Sequence, residues 1–114
     1  MEVKKKFLTF TDGQIELYET DEDGEIIEES RKAHRFGERT IGVKRYFAAR
    51  TNDIELNKVI HIHMDRNVVT DMAAVIDGTK YKIIQVQHIS DSRPKCTVLS
   101  LSQRGLYEGE AYDF

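Results

Sequence analysis

VIHIHM (Val59–Met64), VVTDMAAVI (Val68–Ile76), TKYKIIQVQHI (Thr79–Ile89) and TVLSLSQ (Thr97–Gln103) fill the back half of the chain. Each run is short, rich in β-branched residues and bounded by turn chemistry, so the four read as β-strands. In the first, Ile60, Ile62 and Met64 face one way, and Val59, His61 and His63 face the other. Asp77-Gly78 stands between the second and third runs and predicts a tight two-residue hairpin. Tyr81, Ile83, Ile84, Val86 and Ile89 carry a long strand out of that hairpin. SDSRPK, around the single proline Pro94, is a loop, and Thr97, Leu99 and Leu101 then share one face of the last strand, with Val98 on the other.

Upstream, FLTFTDG and QIELYE alternate apolar and polar residues, with Ile15 and Leu17 on one face. TDEDGE is a polar turn in which Gly24 is free to take positive φ. EIIEESRKAHRF reads as the return strand, so residues 7–36 are expected to be strands with a hairpin at Asp21–Gly24. GERTIG reads as a loop with Thr40 as a helix N-cap. In the next segment Val43, Tyr46, Phe47 and Arg50 recur at helical spacing, which predicts one short helix ending at Asn52-Asp53 and lying as a lid on the core. The expected architecture is mainly β: a small β-barrel of about six strands, with one short helix between the N-terminal hairpin and the C-terminal strands. Residues 1–104 are read as one domain and residues 105–114 as a flexible tail.

At 114 residues the chain suffices for one domain with a real core. Apolar residues make up 39% and charged residues 32%, so part of the chain is expected to be loop or tail. The single cysteine, Cys96, cannot form an internal disulfide and reads as a semi-buried strand residue. Met1–Lys6 is mostly charged, unlike a secretory leader, and no apolar run approaches the roughly 20 residues a membrane helix needs. A cytoplasmic site of synthesis is expected.

The net charge of −3 is unevenly spread. Residues 1–30 hold three basic and ten acidic groups, a net of −7; residues 31–50 hold seven and one, a net of +6. Residues 51–114 hold seven and nine, a net of −2. The middle block (Arg31, Lys32, Arg35, Arg39, Lys44, Arg45 and Arg50) admits two readings. It is either a phosphate-facing surface or an exposed strand and helix that pair with the acidic first block.

Metal chemistry is weakly supported. Asp21, Asp23 and Gly24 fit positions 3, 5 and 6 of a calcium loop, but Glu19 and Ser30 would fall at positions 1 and 12, where Asp and a bidentate Glu belong. His61 and His63 can share one metal only if Asp65, His88 or another chain adds a ligand. No phosphate loop, paired CxxC, HExxH or G-x-S-x-G is present, so neither an enzyme nor a cofactor is expected.

The run RYFAARTNDIELNKVIHIHM, then VIDGTKYKIIQV, then TVLSLSQ resembles the head–tail adaptor family of long-tailed bacteriophages and prophages. Its members are also called head-completion, head-closure or stopper proteins. Tyr46-Phe47-Ala48-Ala49 is similar to the family's aromatic-alanine helix, and Asp77-Gly78-Thr79-Lys80-Tyr81-Lys82-Ile83 to its hairpin. The resemblance spans roughly residues 7–104; the acidic first turn and the lack of tryptophan depart from it. It implies a structural virion protein of the head–tail connector. Such a protein is monomeric when free and assembles as a ring under the portal. It closes the capsid channel, retains packaged double-stranded DNA and offers a docking surface to the tail. Its expected partners are the portal or adaptor above and a tail protein below, with no membrane. Its expected location is the virion, after synthesis in the host cytoplasm. Within that picture Arg31, Lys32, Arg35 and Arg39 are the DNA-channel candidates, and Leu106, Tyr107, Tyr112 and Phe114 the subunit or partner anchors. The alternatives are a small nucleic-acid-binding β-barrel, a tail-terminator-like virion component, and an interaction module of other kind.

Overall fold

The computed structural model describes residues 7–41 and 56–103. Six strands among them close an all-antiparallel barrel: β1 (Gly13–Tyr18), β2 (Lys32–Arg39), β3 (Lys58–His63), β4 (Ala73–Ile76), β5 (Thr79–Ile89) and β6 (Cys96–Ser102). The order around the wall is β1-β2-β3-β6-β5-β4, with β4 pairing back onto β1. The expected six-stranded barrel is therefore present. The helix expected over Val43–Asn52, and the tail residues Leu106, Tyr107, Tyr112 and Phe114, lie outside the described residues.

Alternation fills the barrel. Ile15, Leu17, Ile60, Ile62, Ala74, Ile76, Tyr81, Ile83, Leu99 and Leu101 point inward and form one buried cluster with Phe36, Val68 and Met72. On β5 the register shifts between Ile83 and Gln85. That irregularity lets Val86, rather than Gln85, pack on the same core. The hairpin at Asp77-Gly78 forms as expected, with φ of 52° and 80°, the left-handed pair that a type I′ turn requires.

Several expectations need correction. The strand expected over Val68–Ile76 shrinks to Ala73–Ile76, because β3 and β4 are not wall neighbours. The chain must cross the barrel end between them, and Val68 drops into the core as a plug while Val69 stays exposed. The return strand expected from Glu25 begins only at Lys32. Ahead of it, Glu28–Ser30 is a 3-10 turn, and the Ser30 hydroxyl accepts from the Glu19 amide and donates to the Ile27 carbonyl. At its far end β2 takes in Gly37–Arg39, the start of the expected GERTIG loop.

Finally, Phe7–Asp12 is not a strand but a strap laid along the outside of the barrel. It runs from Leu8, whose amide donates to the Arg93 carbonyl, down to Asp12, whose amide donates to Phe36. Beneath it is a second apolar cluster of Val59, Cys96 and Val98, the outward residues of β3 and β6, capped by Leu8, Ile41, Leu56 and Ile89. The two-sided burial explains why every residue of β6 is buried. It also places Cys96, expected to be half-exposed, fully out of solvent.

Candidate functional site

The four basic candidates stand along β2 and the residue before it, and their environments differ. Arg31, Arg35 and Arg39 share the outward parity of the strand; Lys32 has the opposite parity. Arg31 meets the acidic N-terminal block directly: its Nε and Nη2 both donate to Glu16 Oε2, at 3.0 and 2.6 Å. That bond from Arg31 holds the Glu16 carboxyl below the usual carboxylate range. Arg35 donates to the Phe10 carbonyl of the strap at 3.1 Å. Arg39 is half-buried; its Nε donates to His61 Nδ1 at 3.1 Å and its Nη2 approaches Cys96 Sγ at 3.8 Å. Arg31, Lys32 and Arg35 are exposed cations, whereas Arg39 is a structural tie between β2, β3 and β6.

Lys32 belongs to a polar hub at the end of the barrel where β2 and β6 begin and β3 and β5 end. Its centre is Asp65. Lys32 Nζ and His34 Nε2 both reach Asp65 Oδ2, at 3.2 and 3.1 Å. The Asn67 amide donates to Oδ1 at 3.0 Å, and the Asp65 amide donates to Thr97 Oγ1 at 2.9 Å. His88 Nδ1 contacts the same Thr97 hydroxyl at 2.9 Å. Burial pushes the Asp65 carboxyl up, but the Asn67 amide and the Lys32 ammonium outweigh it and hold the group below its ordinary value. The hub ties the first residues of β2 to the loop after β3, where the two strands are no longer ladder-paired. His34 Nδ1 is buried there without a partner.

These bonds also separate the groups considered for a metal. Asp65 is engaged by Lys32 and His34, and His88 by Thr97, so neither turns to His61 and His63. Those two histidines meet Phe10 instead: His63 stacks on the ring at 3.9 Å and His61 meets it edge-on at 5.0 Å. Among the described residues no three His, Cys, Asp or Glu side chains gather as a metal site would need. In the acidic turn, Asp21 Oδ1 accepts the Asp23 and Glu25 amides, a local turn bond for the carboxylate.

Sequence reasoning missed the strap and its partners. Nothing in the local pattern pairs Phe10, Gly37 and His61, because the strap packs against a wall far away in sequence. The parity of β3 does place His61 outward, the one local signal that bears on the strap's partners. Asp65 enters the sequence reading only as a possible third metal ligand.

No family model, no curated protein and no solved structure matches the chain.

Proposed function

We propose that the chain is a structural component of a bacteriophage or prophage head–tail connector, a ring subunit that closes the capsid channel and receives the tail. The observation that carries this reading is the closed six-stranded barrel, the kind of fold the resemblance implies, with the Asp77-Gly78 hairpin formed in it. Charge distribution gives the surface a use. Arg31, just ahead of β2, and Arg35 stand exposed on the strand's outward side, with Lys32 exposed at the barrel end beside them, and supply cations suited to DNA phosphates that need positioning without base readout. Arg39 leaves the set of channel candidates in this reading, because its guanidinium is committed to His61 and Cys96.

The test uses purified DNA-filled heads that lack the chain. Adding the wild-type protein is expected to protect packaged DNA from nuclease and to restore tail joining. The triple variant Arg31→Glu, Lys32→Glu, Arg35→Glu is expected to join heads but retain DNA poorly. A chain ending at Gln103 is expected to lose assembly. Undiminished DNA retention by the triple variant would remove the channel role, and full assembly by the shortened chain would remove the anchor role of Leu106, Tyr107, Tyr112 and Phe114.

The competing reading is direct nucleic-acid binding through the same cations. Oligonucleotide-binding folds are five-stranded, partly open barrels, and this wall has six strands and is closed. Salt-dependent binding of single strands by the isolated chain would favour that reading.

A further inference from the structure

His61 lies beneath the strap, buried, with both ring nitrogens engaged. Nε2 is 2.8 Å from the Thr9 carbonyl oxygen, which can only accept, so Nε2 carries the proton. Nδ1 receives the Arg39 Nε–H at 3.1 Å, and a guanidinium can only donate, so Nδ1 presents its lone pair. The two contacts together fix one neutral tautomer. A second ring proton has no place: it would sit on Nδ1, pointing at the Arg39 guanidinium, on a buried ring. The site cannot relax by sliding, because Gly37 packs against the ring on one side and Phe10 on another. A Cβ on Gly37 would come within 2.5 Å of His61 Nε2.

We infer that His61 is a proton-sensitive latch, holding the strap Phe7–Asp12 closed while neutral and releasing it when the imidazole is protonated. The ionisable groups around it set the direction. From β2, Arg39 faces Nδ1, and Arg35 binds the strap at the Phe10 carbonyl. From β6, the Cys96 thiol receives Arg39 Nη2. On β3 itself, His63 stacks on Phe10. Along the strap Asp12 is the one ionisable side chain, and its carboxylate accepts the Glu38 amide at 2.7 Å. No carboxylate reaches the ring to welcome a second proton among these groups. Only the open form can take that proton, so acid favours opening. Opening lifts Leu8 from Val59, Cys96 and Val98 and uncovers an apolar patch on β3 and β6.

The chain has its own reporter, since Cys96 is the only cysteine and is fully buried under the strap. The experiment measures Cys96 modification by 4,4′-dithiodipyridine between about pH 8 and about pH 5, each rate normalised to the urea-unfolded chain. Wild type is expected to gain at least tenfold across that range. His61→Gln is expected to stay protected throughout, because the amide donates to Thr9 and accepts from Arg39 without titrating. His88→Gln, which removes an imidazole bonded to Thr97 and not to the strap, is expected to keep the wild-type rise. A flat wild-type profile, or the same rise in His61→Gln, would overturn the latch. Nitrogen-15 NMR of the wild-type imidazole tests it without any variant: the Nε2–H tautomer is expected at neutral pH, and an Nδ1–H tautomer would overturn it.

Discussion

Gly37→Ala puts the strap's attachment to a direct test. Gly37 sits in β2 opposite His61, and an added Cβ would collide with the Thr9 carbonyl oxygen and lie 2.8 Å from His61 Cε1. Either the wall or the strap must yield, and magnitudes decide which. Forcing extra volume into a packed wall costs about 1–3 kcal/mol. The strap is held by five hydrogen bonds, through Leu8, Thr9, Phe10 and both the amide and carboxylate of Asp12. At about 1 kcal/mol net each, these supply roughly 5 kcal/mol. The Phe10 stack adds about 1 kcal/mol. Ordering residues 7–12 costs roughly 6 kcal/mol, at about 1 kcal/mol per residue. Leu8, packed on the Val59, Cys96 and Val98 cluster, adds about 2 kcal/mol, so the strap is docked by a small margin and yields before the wall. Urea unfolding of Gly37→Ala is expected to show a loss of no more than about 2 kcal/mol. Over the same substitution, Cys96 modification at neutral pH should rise more than about tenfold, reflecting loss of about 1.4 kcal/mol or more of strap docking. Wild-type protection of Cys96 together with unchanged stability would refute the reasoning, because it would mean nothing lies against Gly37.

Other expectations follow from single contacts. Ile60→Ala removes a fully buried residue of the inner cluster and should cost about 2–5 kcal/mol, read as a lower urea midpoint at unchanged slope. Gly78→Ala meets no atom but forces a side chain onto φ of 80°, so a loss of about 1–2 kcal/mol in thermal unfolding is expected. Asp65 is held below its ordinary value, so its contribution is present above the unfolded carboxylate's titration and fades as pH falls through the folded one. Asp65→Asn should therefore lower stability at neutral pH and flatten its fall between about pH 5 and about pH 2. Equal acid sensitivity in the two proteins would contradict the hub.

Much of the barrel was legible because its cause is local. Period-2 alternation put Ile15, Leu17, Ile60, Ile62, Leu99 and Leu101 inside, and Asp77-Gly78 could only be a tight turn. The errors have non-local causes. Val68 has the composition of a strand residue, but the wall order sends the chain across the barrel end there, and burial as a plug uses the same apolar side chain. FLTFTDG alternates like a strand, yet the inner wall is already closed by β1 and β4, so the segment packs outside. The basic block had two readings, and the contacts divide it: Arg31 pairs with the acidic block as the solvated reading held, while Arg39 is drawn into the wall. Nothing in a single sequence orders these tertiary demands.

The most direct measurement of the central claim is electron microscopy of an induced lysate in which this gene alone is deleted. A connector subunit predicts heads that have lost their DNA beside separate, complete tails, and wild-type particles with ring density under the portal. Normal, tailed, DNA-filled particles from the deletion would contradict it.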